Sequence, residues 1–289
     1  MLKRVLTAAV LIPLVVVAVF YAPIWLFAIV VAAIALITLG EYFNIVEAYG
    51  LKPIRIYVYV VVILLFARSW TVGNLEAVTV VAALSAFLIP ALLMSKPDLR
   101  GALPSASASV FPFFYVALPL LLVVDMRHFD GPGTVMALLV IVWVGDTAAY
   151  FVGKGIGRHL LAPRTSPKKT WEGAVASLVG SAAVGVVWWV LAERSPRSQS
   201  LFGVGYFELL KAGIWSAVLM AVVVNIAAQL GDLVESVLKR GANVKDSGSI
   251  LPGHGGMLDR IDALLFAAPV MYYYPVFVYR VFGSIVHHQ

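Results

Sequence analysis

Residues 231–262 read GDLVESVLKRGANVKDSGSILPGHGGMLDRID, a polar run set between two long apolar stretches. It holds four Asp, one Glu, two Lys, two Arg and one His, in a chain of which only 12% is charged. Soluble domains carry about 25% charged residues. Here 62% of residues are hydrophobic and the mean hydropathy is +0.95, which excludes an ordinary soluble domain. The polar run therefore interrupts a membrane-embedded chain, and its charges need a physical reason to be there.

Working outward from it, apolar stretches long enough to cross a hydrocarbon core of about 30 Å, roughly 20 residues as helix, recur along the whole sequence. They are Val5 to Tyr21, Ile24 to Leu39, Ile54 to Trp70, Leu75 to Met94, Ser107 to Val124, Gly133 to Val152, Gly173 to Ala192, Lys211 to Leu230 and Ile261 to Phe282. Backbone groups in lipid must be satisfied internally, and these continuous runs lack the alternation of a membrane barrel. The expected fold is an all-α polytopic membrane protein of about nine transmembrane helices. MLKR followed by an apolar run imitates a secretory signal, but a second span follows at once, so it is expected to stay as the first helix. With no cysteine, disulfides and thiolate ligands are excluded.

Basic residues favour the cytoplasmic side. With the N-terminus inside, the inner segments hold fifteen of the 21 Lys and Arg, so the N-terminus and the polar segments 153–172 and 232–260 are expected to be cytoplasmic. The predicted organisation is a scaffold of N-terminal helices over 1–132 and a catalytic region over 133–289. The pI near 9.5 points to anionic lipid head groups and nucleotides as partners. Nucleic acid is excluded, because no soluble basic domain is present to carry it.

Asp232, Glu235, Ser236 and Lys239 are spaced i, i+3, i+4 and i+7, which puts all four on one face of a helix continuing from the eighth span. Asp259 and Asp262 repeat the i, i+3 spacing where the ninth span begins. Two helix ends can thus present carboxylates to a common point, and hard oxygen ligands of this kind suit Mg²⁺. Between them lie Lys239, Arg240, Lys245, Gly248, Gly253, His254, Gly255, Gly256 and Arg260, cations and glycine-rich amides able to hold phosphate oxygens. Taken singly, Asp259 also reads as an N-cap, Lys239-Arg240 as a membrane anchor, Gly255-Gly256 as a turn and His254 as a loop residue. Together these readings leave the clustering unexplained, since a charge at membrane depth costs at least about 2.5 kcal/mol unless paired or hydrated.

The other polar connection runs from Gly145 as GDTAAYFVGKGIGRHLLAPRTSPKKTWEG. Ser166-Pro167 reads as an N-cap followed by Pro at the first helical position, with free amides facing an anion and Lys168 and Lys169 adding charge. A capped interfacial helix with lysines on lipid phosphates fits the same residues. Gly153, Gly155 and Gly157 do not make a dinucleotide fingerprint, because no strand precedes them and the spacing is wrong. Asp146 closes a span beside Thr147 and Tyr150.

The segment Ser236-Val-Leu-Lys239-Arg240, then Lys245-Asp246-Ser-Gly248-Ser-Ile-Leu-Pro252-Gly-His254-Gly255-Gly256-Met-Leu-Asp259-Arg260-Ile-Asp262, resembles the signature of the phosphatidate cytidylyltransferase (CDP-diacylglycerol synthase) family. The stretch from Asp146 to Gly173, ending SPKKTWEG, resembles the same family, with Gly145 and Thr165 as variants at less restricted places. Together the two cover roughly one-fifth of the chain. The resemblance implies that CTP and phosphatidate give CDP-diacylglycerol and pyrophosphate with Mg²⁺, and with room for a second cation, in an inner membrane or its equivalent; it also implies a homodimer. It assigns metal to Asp232, Asp259 and Asp262. Lys239, Arg240, Lys245, Asp246, His254 and Arg260 are the expected catalytic set, with Asp246 also a weaker candidate for metal or ribose. Asp146, Ser166, Lys168, Lys169, Thr170, Ser236, Gly255 and Gly256 are the expected substrate contacts, either substrate fitting the 166–170 segment.

A secondary transporter would gather its charges near the bilayer midplane rather than in long cytoplasmic connections. A CDP-alcohol phosphotransferase would carry a DG-x2-AR pattern with spaced aspartates, absent here. A cytidylyltransferase acting on another lipid phosphate is the nearest alternative.

Overall fold

The computed structural model describes residues 2–69, 75–93, 100–194, 213–250 and 255–286. Nine helices lie among them: α1 Leu2–Tyr21, α2 Ile24–Ala48, α3 Arg55–Arg68, α4 Leu75–Leu93, α5 Ala102–Asp130, α6 Pro132–Ile156, α7 Trp171–Arg194, α8 Ile214–Gly241 and α9 Leu258–Val286. Six of these, α2 and α5 to α9, are long and apolar enough to cross a membrane, α9 through its Leu258–Val278 portion. The chain is thus an all-α membrane protein with six such helices among the described residues, against the nine spans expected; α3 has only 14 residues. The eighth predicted stretch starts at Lys211, outside the described residues.

The chain divides into two compact units, Met1–Asp125 with Val234–Leu265, and Met126–Leu233 with Phe266–Gln289. In the first, Tyr42 of α2 packs edge-on against Phe43 and beside Tyr115 of α5, and its hydroxyl donates to the Ala108 carbonyl at 3.0 Å. The Lys52 and Ile54 amides, which follow α2, donate to Ser105 Oγ and Ser109 Oγ on α5 at 3.1 and 2.9 Å. In a low-dielectric interior such pairs satisfy backbone that helix geometry leaves open. A π turn at Phe113–Ala117 falls between Pro112 and Pro119, whose missing amides break the regular ladder of α5.

In the second unit α6 and α7 are joined by two short strands, β1 Leu160–Ala162 and β2 Ser166–Thr170, paired antiparallel with Leu160 opposite Thr170 and Ala162 opposite Ser166. This corrects the expectation that Ser166-Pro167 opens a helix. The helix begins at Trp171 and its cap is Thr170, whose Oγ1 accepts the Gly173 amide at 3.1 Å, with Glu172 complementing the first turn. Pro167 is tolerated because a two-stranded ribbon leaves one side of each strand unpaired. Buried amides tie α7 to α8: Asn225 Nδ2 donates to Ser177 Oγ at 3.0 Å, and Gln229 Nε2 donates to Asn225 Oδ1 at 2.7 Å and to the Ala174 carbonyl at 3.2 Å. Polar side chains of this kind hold apolar helices together where no hydrophobic drive exists.

Candidate active site

In the first unit the end of α8 and the start of α9 carry the densest group of ionisable side chains. Lys239 Nζ lies 2.5 Å from Glu235 Oε2, one turn earlier on α8, and 2.5 Å from Asp259 Oδ1 on α9. The three side chains are 12%, 1% and 7% exposed, so the pairing is a desolvated one. Asp259 Oδ2 accepts the Ser247 amide at 3.0 Å and the Gly256 amide at 2.8 Å. Asp259 therefore ties Ser247 and Gly256 to the start of α9 and orients the lysine at once, a pairing that neither the cap nor the metal reading of its spacing contained.

Asp262, buried one turn further along α9, brings a carboxylate oxygen within 4.8 Å of one on Glu235. Glu235 Oε1 is buried with no hydrogen-bond partner among the described residues. One desolvated ammonium thus pairs with two carboxylates, and a third, that of Asp262, lies close to Glu235. Uncompensated charge of that kind is strongly destabilising in a low-dielectric interior, and hard oxygen donors with an open lone pair suit a divalent cation. Asp232 stands one turn before Glu235 on the same helix. The residues present fit a metal cofactor, with Glu235 in a place that the spacing alone put on the right face and left without a role.

The end of α8 is itself pinned. The Val244 amide donates to the Lys239 carbonyl at 2.9 Å and Asn243 takes φ 57°, a left-handed helix stop. Tyr49 Oη donates to the Leu238 carbonyl at 2.8 Å. Ser236 is buried on the inner face of α8, whereas Arg240, Lys245, Asp246 and Arg260 are exposed around the cluster. Gly255 sits at φ 83°, open to glycine and costly for other residues. His254 lies outside the described residues.

The second unit gathers a different set. A cavity of about 280 Å³ is lined by Asp146, Lys168, Lys169, Thr170 and Asp232, among others, and Lys169 Nζ lies 2.5 Å from Asp232 Oδ2. Four of the expected substrate contacts meet there. Ser166 does not line the cavity; it opens strand β2 opposite Ala162.

Glu41 of α2 is the residue that sequence reasoning missed. It is 3% exposed and accepts Ser247 Oγ at 2.9 Å, the Met257 amide at 2.8 Å and the Leu258 amide at 2.7 Å. Its signal was available: an acid inside an otherwise apolar helix is expensive and has a functional or structural partner.

Residues 2–278 match the model of the cytidylyltransferase family. The phosphatidate cytidylyltransferase of Staphylococcus haemolyticus (strain JCSC1435) is 35% identical over 205 residues, 71% of each chain. That of Bacillus subtilis (strain 168) is 38% identical over 152 residues, 52% of this chain and 51% of its own. That of Synechocystis sp. (strain ATCC 27184 / PCC 6803 / Kazusa) is 30% identical over 290 aligned positions, 90% and 92% of the two chains. A match of this extent takes in the scaffold helices together with both polar regions, and on it the chain belongs to the cytidylyltransferase family.

Proposed function

We propose that this protein transfers the cytidylyl group of CTP to phosphatidate, releasing pyrophosphate and leaving CDP-diacylglycerol in the membrane. The observation that carries the reading is the buried set at the end of α8 and the start of α9. There Lys239 is held between Glu235 and Asp259, with Asp262 close to Glu235, and Lys239, Asp259 and Asp262 belong to the segment that resembles the family signature.

In the reaction an oxygen of the lipid phosphate attacks the α-phosphorus of CTP, the bond from that phosphorus to the bridging oxygen breaks, and pyrophosphate leaves with the electron pair. A phosphate monoester is already largely ionised near neutral pH, its second pKa being about 6, so neither a protein nucleophile nor a strong base is required. The barrier is one anion approaching another, which positioned cations and amides lower. Glu235 and Asp262, with Asp232 one turn away, would hold Mg²⁺, while Asp259 keeps Lys239 aimed. When bound, the ion supplies charge neutralisation on phosphate oxygens. Lys239, Arg240, Lys245 and Arg260 hold the triphosphate and stabilise the departing pyrophosphate, His254 donates to it, and the Gly255 and Gly256 amides add uncharged donors. Lys168, Lys169 and Thr170 hold a phosphate group at the second-unit cavity, with Asp146 as a ribose or metal contact. The acyl chains stay in the bilayer, since a diacyl tail gains nothing by leaving it. The N-terminus and both polar segments face the cytoplasm, as the basic-residue bias favours.

The test is transfer of label from CTP into a chloroform-soluble product by purified, detergent-solubilised protein. Transfer that needs phosphatidate, stops on chelation and returns with Mg²⁺ supports the reading. Transfer only to another lipid phosphate would move the acceptor, and none to any lipid phosphate in a folded preparation would overturn it.

A further inference from the structure

Glu41 is the one deeply buried acid of α2, and the proposed chemistry leaves it unused. Its three donors come from residues 206 to 217 positions away. Two of them, the amides of Met257 and Leu258, lie at the N-terminal end of α9, where free amides otherwise need a cap. The third, Ser247 Oγ, is also the acceptor of the Asp259 amide at 3.3 Å, while the Ser247 amide donates to Asp259 Oδ2. A continuous chain of contacts therefore runs from Glu41 through Ser247 to Asp259 and on to Lys239 and Glu235. The fit around the carboxylate is close. A Cβ on Gly248 would stand 2.5 Å from Glu41 Oε1, and one on Gly256 would stand 2.5 Å from Glu41 Oε2 and collide with Ser247 Oγ.

We infer that Glu41 is a positioning residue for the cytidylyl transfer: its carboxylate, on α2, clamps Ser247, Met257 and Leu258, and through Ser247 and Asp259 it fixes the direction of Lys239. A buried carboxylate with no ion pair among the described residues is retained because its two oxygens together satisfy three donors at once, where an amide offers a single acceptor oxygen. Glutamine keeps one acceptor oxygen and turns an N–H₂ towards a donor, so Glu41→Gln alters hydrogen bonding at nearly constant volume. The inference rests on the proposed function for its kinetic readout and on the loop contacts alone for its structural one.

The experiment compares wild type, Glu41→Gln, Ser247→Ala and the double variant, by steady-state kinetics with CTP and phosphatidate and by amide hydrogen exchange over residues 245–262. Displacing a catalytic group by about 1 Å costs on the order of a hundredfold in rate. The expected result for Glu41→Gln is a fall in kcat of about that size with KM for both substrates within threefold, and faster exchange at Met257 and Leu258. The double variant falls no further than Glu41→Gln alone, because both changes cut the same chain of contacts. Wild-type kcat with unchanged exchange in Glu41→Gln would overturn the inference, as would losses that multiply in the double variant. If Glu41→Gln fails to fold, Ser247→Ala alone decides it, with at least a tenfold loss of kcat expected and wild-type kcat contradicting. If the wild type transfers nothing to phosphatidate, the proposed reaction fails, and exchange at Met257 and Leu258 still decides whether Glu41 holds the loop.

Discussion

The two polar regions solve the problem of charge near a membrane in opposite ways. In the 235–262 region Glu235, Lys239, Asp259 and Asp262 are desolvated and interlocked, and each oxygen of Asp259, like each of Glu41 on α2, is committed to a named donor. In the 160–170 hairpin the lysines stand on a short two-stranded ribbon, Lys168 exposed and Lys169 in one pair with Asp232 at half-exposed side chains. Preorganised groups in a dry site act strongly on developing charge, whereas exposed cations act by attraction that salt screens. The difference suggests that the first region carries the rate and the second the capture of a phosphate.

Substitutions can break or sharpen that contrast. The largest effect is expected for Lys239→Met, which leaves two buried carboxylates facing each other without their ammonium. It should cost about 3–5 kcal/mol of stability, read by thermal unfolding in detergent, and reduce transfer about a thousandfold. Gly256→Ala comes next: its methyl would meet Glu41 and Ser247, and overpacking of this kind costs about 1–3 kcal/mol with a loss of kcat rather than a rise in KM. Lys169→Ala, in the hairpin, should change stability by less than about 1 kcal/mol. Its signature is a several-fold higher KM for one substrate and a weaker dependence of that KM on salt, both read from initial rates. Thr170→Ala removes the cap of α7, and about 1 kcal/mol of stability is expected to go with it, together with a modest rise in KM for the substrate held at that cavity and little change in kcat.

What was legible in one dimension follows the same division. The face carrying Asp232, Glu235, Ser236 and Lys239 could be read from helical spacing, because α8 continues unbroken to Gly241. The partnership of Asp259 with Lys239 was not legible, since the spacing offered Asp259 only as a cap or a metal ligand and the pair joins two different helices. Glu41 was not legible as part of the site, because its partners lie over two hundred residues away and periodicity reports only neighbours on one element. The hairpin was misread for a local reason. Ser-Pro and Thr-Trp-Glu both resemble helix starts, and strand pairing with Leu160–Ala162, which no local rule registers, decided for the second.

The most direct test of the central claim is pyrophosphate release by purified Asp262→Asn beside wild type, each with CTP, Mg²⁺ and phosphatidate and each shown to be folded by its unfolding transition. Wild type should release one pyrophosphate per CDP-lipid formed, and the variant should remain at the no-enzyme background at every Mg²⁺ concentration. Near-normal turnover by folded Asp262→Asn would contradict the claim that the buried carboxylates at the start of α9 carry the metal-dependent chemistry.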